Sequence, residues 1–137
     1  MNRPVPRLED KHQIAYFEWI RTQHILVGDA RIALGSIAYH TPNERKEKHE
    51  RQRLWRLGVL NGVSDICVPV PHEPYAGLYI ELKAHKNKPT PEQDVFLSRM
   101  RFLGYDAHWC TGWDKAREIT ESYLGDLLDR NTKATVQ

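Results

Sequence analysis

The chain has 137 residues, 40% of them hydrophobic and 28% charged, with a formal net charge of +2. That is one domain's worth of ordinary globular polypeptide, which excludes wholesale disorder and collagen- or mucin-like architectures. No apolar run approaches the ~18 residues a membrane span needs, and two cysteines are too few for a disulfide framework.

A single domain over 1–137 is expected, with its core at about 9–128 and flexible ends at 1–7 and 131–137. Cys67 and Cys110 lie in apolar-alternating stretches and read as small, reduced core residues. The first residues lack the apolar region of a signal peptide, so the expected location is the cytoplasm.

In chain order, Glu9 to Gln23 reads as a helix. Ile14, Phe17 and Ile20 recur at near-helical spacing, Tyr16 and Trp19 widen the apolar face, and Glu9 and Asp10 suit the positive N-terminal end. The stretch after Gly28 has no clear pattern. Ser36 to His40 is a short strand stopped by Thr41-Pro42-Asn43, and Glu44 to Leu57 is a highly charged helix ended by Gly58. A Gly62-Val63-Ser64 turn then leads into Asp65 to Pro71, a buried-type strand finished by its prolines. Gly77 to Lys83 is another strand, apolar until its polar end.

The next boundary is the sharpest. Thr90-Pro91-Glu92-Gln93 supplies an N-cap, a proline at N1 and a glutamine at N3, a capping box. The helix runs to Leu103 with Phe96, Met100 and Leu103 on one face, and Gly104 takes the C′ position. Tyr105 to Cys110 is a strand. Trp113 to Leu128 is a last helix, with Trp113, Ala116, Ile119, Tyr123 and Leu127 inward. The order predicts an α/β fold, a small mixed β-sheet flanked by helices.

Asp65, Glu81 and Lys83 carry the chemistry. Glu81 and Lys83 are two apart on a strand, so both side chains leave one face of the sheet, beside an otherwise apolar run. Charges so placed are expensive to bury unless something compensates them. The turn residues between Asp65 and Glu81 (Pro69, Pro71, Pro74, Gly77) allow an antiparallel hairpin that brings the two acids together, with strands ~4.8 Å apart. Two carboxylates with a backbone carbonyl and water suit a hard cation such as Mg²⁺. An ammonium beside them can stabilise a phosphate oxygen or help deprotonate an attacking water. An arbitrary Glu-x-Lys is usually a surface ion pair. Here the apolar strand, the Gly-x-x-Asp turn before it and the basic loop after it argue for a site.

Two basic stretches flank this group. Arg45, Lys46, Lys48, Arg51, Arg53 and Arg56 outnumber Glu47 and Glu50 on the charged helix, and Lys86 and Lys88 follow the Glu-x-Lys strand in a polar loop. Arg45, Arg51, Arg53, Lys86 and Lys88 are candidate nucleic-acid contacts, as is Asn43, for which a cap of the helix at Glu44 is the first reading. The seven histidines show no metal-site spacing. The tryptophans and tyrosines fall at core-facing spacings rather than as an exposed stacking row. No phosphate-binding glycine loop occurs, so no nucleotide cofactor is expected.

Read together, these stretches resemble the VRR-NUC family (the virus-type replication and repair nuclease domain) of the PD-(D/E)xK nuclease superfamily, in its stand-alone phage or bacterial form. Leu8-Glu9-Asp10-Lys11-His12-Gln13 is similar to the family's opening helix, and His40-Thr41-Pro42-Asn43-Glu44-Arg45 to its His-x-Pro-Asn signature. Gly62-Val63-Ser64-Asp65 resembles the Gly-x-Pro-Asp turn, with Ser64 in place of proline. Tyr79-Ile80-Glu81-Leu82-Lys83 resembles the Glu-x-Lys strand, and Thr90-Pro91-Glu92-Gln93 the Ser/Thr-Pro-x-Gln helix start, with Gly104-Tyr105 following. His12 stands where relatives often carry another acid.

The resemblance implies a restriction-endonuclease-like core and Mg²⁺ or Mn²⁺ held by Asp65, Glu81, the Leu82 carbonyl and Glu9. Lys83 would be the catalytic lysine, and Gln93 a polar group orienting Lys83 or water. Helix capping for Gln93 and a dipole-favoured acid for Glu9 are the plain alternatives, and Gln13, one turn after Glu9, would buttress it. The implied activity is a metal-dependent, structure-selective DNA endonuclease, in its sharpest form a homodimeric Holliday-junction (four-way junction) resolvase acting on branched DNA in repair. The Gly28–Gly35 region or the last helix would supply the dimer surface. A flap or duplex nickase, a restriction-like endonuclease and a non-catalytic DNA-binding module on the same fold are the alternatives.

Overall fold

A computed structural model describes residues 7–42 and 47–131; Asn43 and Arg45 lie outside the described residues. The first helix, α1 (Leu8–Ile20), buries Tyr16, Phe17, Trp19 and Ile20, while Ile14, expected inward, is half exposed. The unpatterned stretch that follows is a hairpin of β1 (His24–Val27) and β2 (Ala30–Ala33), paired antiparallel with Val27 opposite Ala30. Gly28 takes φ +58° at the first position of its two-residue turn, a conformation glycine adopts without a Cβ penalty. A single 3₁₀ turn, Leu34–Ser36, leads to the two-residue β3 (Tyr39–His40), so the strand expected from Ser36 is shorter than its sequence pattern.

The charged helix is α2 (Lys48–Arg56), which buries none of its residues. Then come β4 (Ile66–Val68) and β5 (Leu78–Lys83), α3 (Pro91–Phe102), β6 (Asp106–Thr111) and α4 (Trp113–Leu124). Gly125 breaks α4 before the expected Leu128, and one 3₁₀ turn, Gly125–Leu127, follows. The main sheet has the order β3-β4-β5-β6: antiparallel across β3-β4 and β4-β5, parallel across β5-β6. A parallel pair needs a crossover, and α3 supplies it. The mixed α/β class read from the sequence is the one observed.

Alternation along β5 divides the two faces of the sheet. Leu78, Ile80 and Leu82 join Ile66, Val68, Tyr16, Ile20, Ala116 and Leu124 in one core between the sheet and the α1/α4 pair. Each such aliphatic side chain contributes roughly 1.5–3 kcal/mol by leaving water. Tyr16 Oη and Thr120 Oγ1, 2.7 Å apart, share a buried hydrogen bond that links α1 to α4. Cys67 and Cys110 are buried free thiols. The opposite face carries Tyr79, Glu81 and Lys83 under α3, with Tyr79 edge-on to Phe96 and Tyr105 at 5.3 and 5.4 Å. Within α3 the buried residues are Gln93 and Leu97, whereas Leu103, expected inward, is largely exposed. No helix among the described residues is long and apolar enough to cross a membrane.

The turn before β4 is locked against α3. Gly62 has φ +85°, and a Cβ there would meet the Glu92 carbonyl oxygen at 2.7 Å. Gly62→Ala combines left-handed strain with a clash against helix backbone, and should destabilise the protein by about 2–3 kcal/mol in urea denaturation. A loss under about 0.5 kcal/mol, the range of ordinary surface changes, would contradict this packing.

Candidate active site

Strand pairing sets the distance between the two acids. Ile66 is opposite Ile80, so Asp65, one residue earlier, comes opposite Glu81 on the same face. There the ladder is interrupted: Asp65 Oδ2 accepts the hydrogen bond of the Leu82 N–H at 3.0 Å, in place of a backbone carbonyl. The Leu82 carbonyl leaves the strand on the same side as its N–H, towards Asp65. The Asp65 backbone is held in turn, its carbonyl accepting from Thr41 N and from His40 Nδ1, both at 2.9 Å. That interaction requires the tautomer with the proton on Nδ1. His40 and Thr41, quoted from the sequence only as a motif, thus fix where Asp65 sits.

Glu81 is only 2% exposed. Its Oε2 accepts from Gln93 Nε2 at 3.1 Å and lies 3.7 Å from Lys83 Nζ, while its buried Oε1 has no protein partner. Gln93 closes the helix cap and reaches Glu81, rather than the Lys83 or water that the resemblance implied for it. Its Oε1 accepts from Thr90 N at 2.8 Å and its own N–H donates to Thr90 Oγ1 at 3.3 Å, closing the capping box. The amide oxygen is thereby committed to the helix end, so the amide N–H must face Glu81. Lys83 is buried as well, on the same face.

Glu9, at the start of α1, is close enough for its charge to act on Glu81, and its Oε1 accepts from Asn87 Nδ2 at 3.4 Å in the loop after β5. Gln13 Nε2 is buried without a protein partner. His12 is engaged at the start of α4, its Nδ1 accepting from Trp113 N at 3.1 Å. Ser64 is buried in the turn. Lys86 and Lys88 are exposed in the loop after β5, and Arg51 and Arg53 on α2, where Arg53 lies 3.5 Å from Glu50.

Burial, first of all, pushes the Glu81 carboxyl up to about 9; the adjoining Asp65 carboxyl and the charge of Glu9 act in the same direction, and Lys83 opposes them. Without added positive charge the carboxyl is thereby biased towards its protonated form. Crowded acids with one orphaned, buried carboxylate oxygen make a place that accepts either a proton or a cation. Among the described residues no three His, Cys, Asp or Glu side chains form a ready-made metal cluster. Two carboxylates and a carbonyl nevertheless fit a hard cation that completes its shell with water and phosphate oxygens.

No family model and no curated protein matches the chain. A solved structure described as a VRR_NUC domain protein superposes with a TM-score of 0.72, covering 88% of this chain and 90% of that one at 23% sequence identity. The chain has the fold of that VRR_NUC domain protein.

The direction of the Glu81 shift fixes a pH dependence. The folded state binds more protons than the unfolded state between about 4.5 and about 9, so stability falls as pH rises through that window. Metal-free Glu81→Gln should melt higher than wild type at pH 8 by roughly 4 °C or more, with the gap closing towards pH 4.5. Melts in EDTA at several pH values check this, and a variant less stable than wild type at pH 8 would reverse the conclusion.

Proposed function

We propose that this protein is a metal-dependent endonuclease that hydrolyses DNA phosphodiester bonds. One observation carries the reading: Asp65 lies opposite Glu81, with Lys83 on the same buried face, in a fold shared with a VRR_NUC domain protein. Asp65, Glu81 and the Leu82 carbonyl would hold Mg²⁺ or Mn²⁺, with Glu9 as a further acid at the rim. Such an ion supplies Lewis acidity to a phosphate oxygen. The chain's own groups do the rest. Gln93 holds one oxygen of Glu81 and leaves Oε1 for the ligand. The Leu82 N–H orients Asp65. Lys83, between Glu81 and the substrate, donates its N–H to the phosphate and neutralises charge that develops there.

Lys86, Lys88, Arg51 and Arg53 supply backbone contacts without a code for base sequence, which favours recognition of DNA by shape. In its sharpest form the enzyme is a homodimeric four-way-junction resolvase, because two matched nicks need two sites related by a two-fold axis. It would act in the cytoplasm on DNA under repair. A flap or duplex nickase would use the same chemistry on a different substrate. A purely DNA-binding role leaves no reason to keep a buried Glu–Lys pair that is costly to fold.

With Mg²⁺ or Mn²⁺, the purified protein should cut labelled branched DNA. Lys83→Ala and Asp65→Ala should lose roughly 100-fold or more of the rate while still retarding the same DNA on a gel. Comparing four-way junction, flap and plain duplex in one assay identifies the preferred substrate, and a wild type that binds all three without cutting with either metal refutes the enzyme. Replacing both Lys86 and Lys88 by Ala should lower the slope of log affinity against log salt by about 0.9 for each phosphate contact removed. An unchanged slope would take these two residues out of the interface.

A further inference from the structure

The side of α2 that a packed helix would turn to its core carries a different composition. Lys48, Arg51, Gln52, Trp55 and Arg56 fall at i, i+3, i+4, i+7 and i+8, one stripe of the helix. With Asn61 they line a cleft of about 570 Å³. Trp55, expected inward from its spacing, is 72% exposed. The single acid in α2, Glu50, lies against Arg53 rather than within the stripe. A protein core or an apolar partner would have to strip water from three cations to reach this indole. A nucleic-acid strand would not: its phosphates meet the cations, and an unstacked base offers a flat π-face to the ring.

The position of the stripe adds to the case. The chain leaves α2 through Gly58, which donates to the Trp55 carbonyl at 2.9 Å, and reaches Asp65 through the Gly62 turn that lies against α3. Helix and metal-site acid are joined by one short, anchored segment.

We propose that this face of α2 is a DNA contact in which Trp55 stacks on an unpaired base at a branch or strand end, while Lys48, Arg51 and Arg56 hold the flanking phosphates. The inference rests on the endonuclease reading and deepens it. Where the substrate carries an unpaired base, as a flap does and a fully paired four-way junction does not, that base distinguishes it from plain duplex, and the selecting side chain lies outside the hydrolytic centre.

The test is equilibrium binding of the full chain in EDTA, where no cutting occurs. Two probes are compared: a flap carrying 2-aminopurine at its first unpaired position, and a fully paired duplex. Trp55→Ala should weaken flap binding roughly 5- to 100-fold, the range for loss of one base–aromatic stack. It should abolish the 2-aminopurine signal and leave duplex binding and the melting temperature as in wild type; Trp55→Phe should restore most of the flap affinity. Equal affinities of Trp55→Ala and wild type for the flap overturn the proposal. So does a change in self-association measured by sedimentation, which would assign the face to a second copy of the chain, or a collapse of the melting temperature. A wild type that cuts flaps while Trp55→Ala binds them normally removes this inference alone. A wild type that neither binds nor cuts DNA removes the endonuclease reading with it.

Discussion

A carboxylate buried in the sheet with one oxygen left over is the constraint around which the rest of this molecule is arranged. Glu81 is placed by β5, a strand secured from one side by the α1/α4 core and from the other by α3. Its neighbours divide the electrostatic burden unequally. Lys83 offsets part of the charge, Gln93 supplies one neutral donor, and Asp65 and Glu9 add repulsion. Such a cluster opposes folding on its own, because crowded acids leave water at a cost that Lys83 and a retained proton offset only in part. The hydrophobic face beneath it must therefore be well packed, and the alternation of Leu78, Ile80 and Leu82 against α1 and α4 provides that packing. Apolar packing resides on one face of β5 and the crowded acids on the other.

Asp65 shows how the sheet makes room for the second acid. Regular pairing would extend back from Ile66, but the side chain of Asp65 takes the Leu82 N–H, so β4 begins only at Ile66. At that end the strand stops where a side-chain carboxylate occupies the place of the next backbone acceptor. His40 and Thr41 then hold the Asp65 carbonyl from β3 and the residue after it, so an edge strand of only two residues has a positioning task larger than its length.

Much of this was legible in the sequence where chemistry and local geometry coincide. Thr90-Pro91-Glu92-Gln93 fixes a helix start by capping rules alone, and an acid and a lysine two apart on an apolar strand can only share a face. The β1–β2 hairpin was not legible. Each strand has four residues and only Ile25 is buried, too little for alternation to register, although Gly28-Asp29 is the kind of pair such a turn uses. Trp55 was misread because spacing says which residues share a stripe and not whether anything covers it. The contacts from His40, Thr41 and Asn87 to the acids connect distant stretches of chain, and nothing periodic announces them. Candidates at Asn43 and Arg45 lie outside the described residues.

The capping box of α3 has a further meaning. Its glutamine is shared: the oxygen closes the helix start and the nitrogen steadies the buried acid. Fraying of that first turn, a small local event in most proteins, would here release the amide and let the carboxylate drift. The position of Glu81 is thereby coupled to the order of a single helical turn, and gentle warming would loosen it while the sheet remained intact.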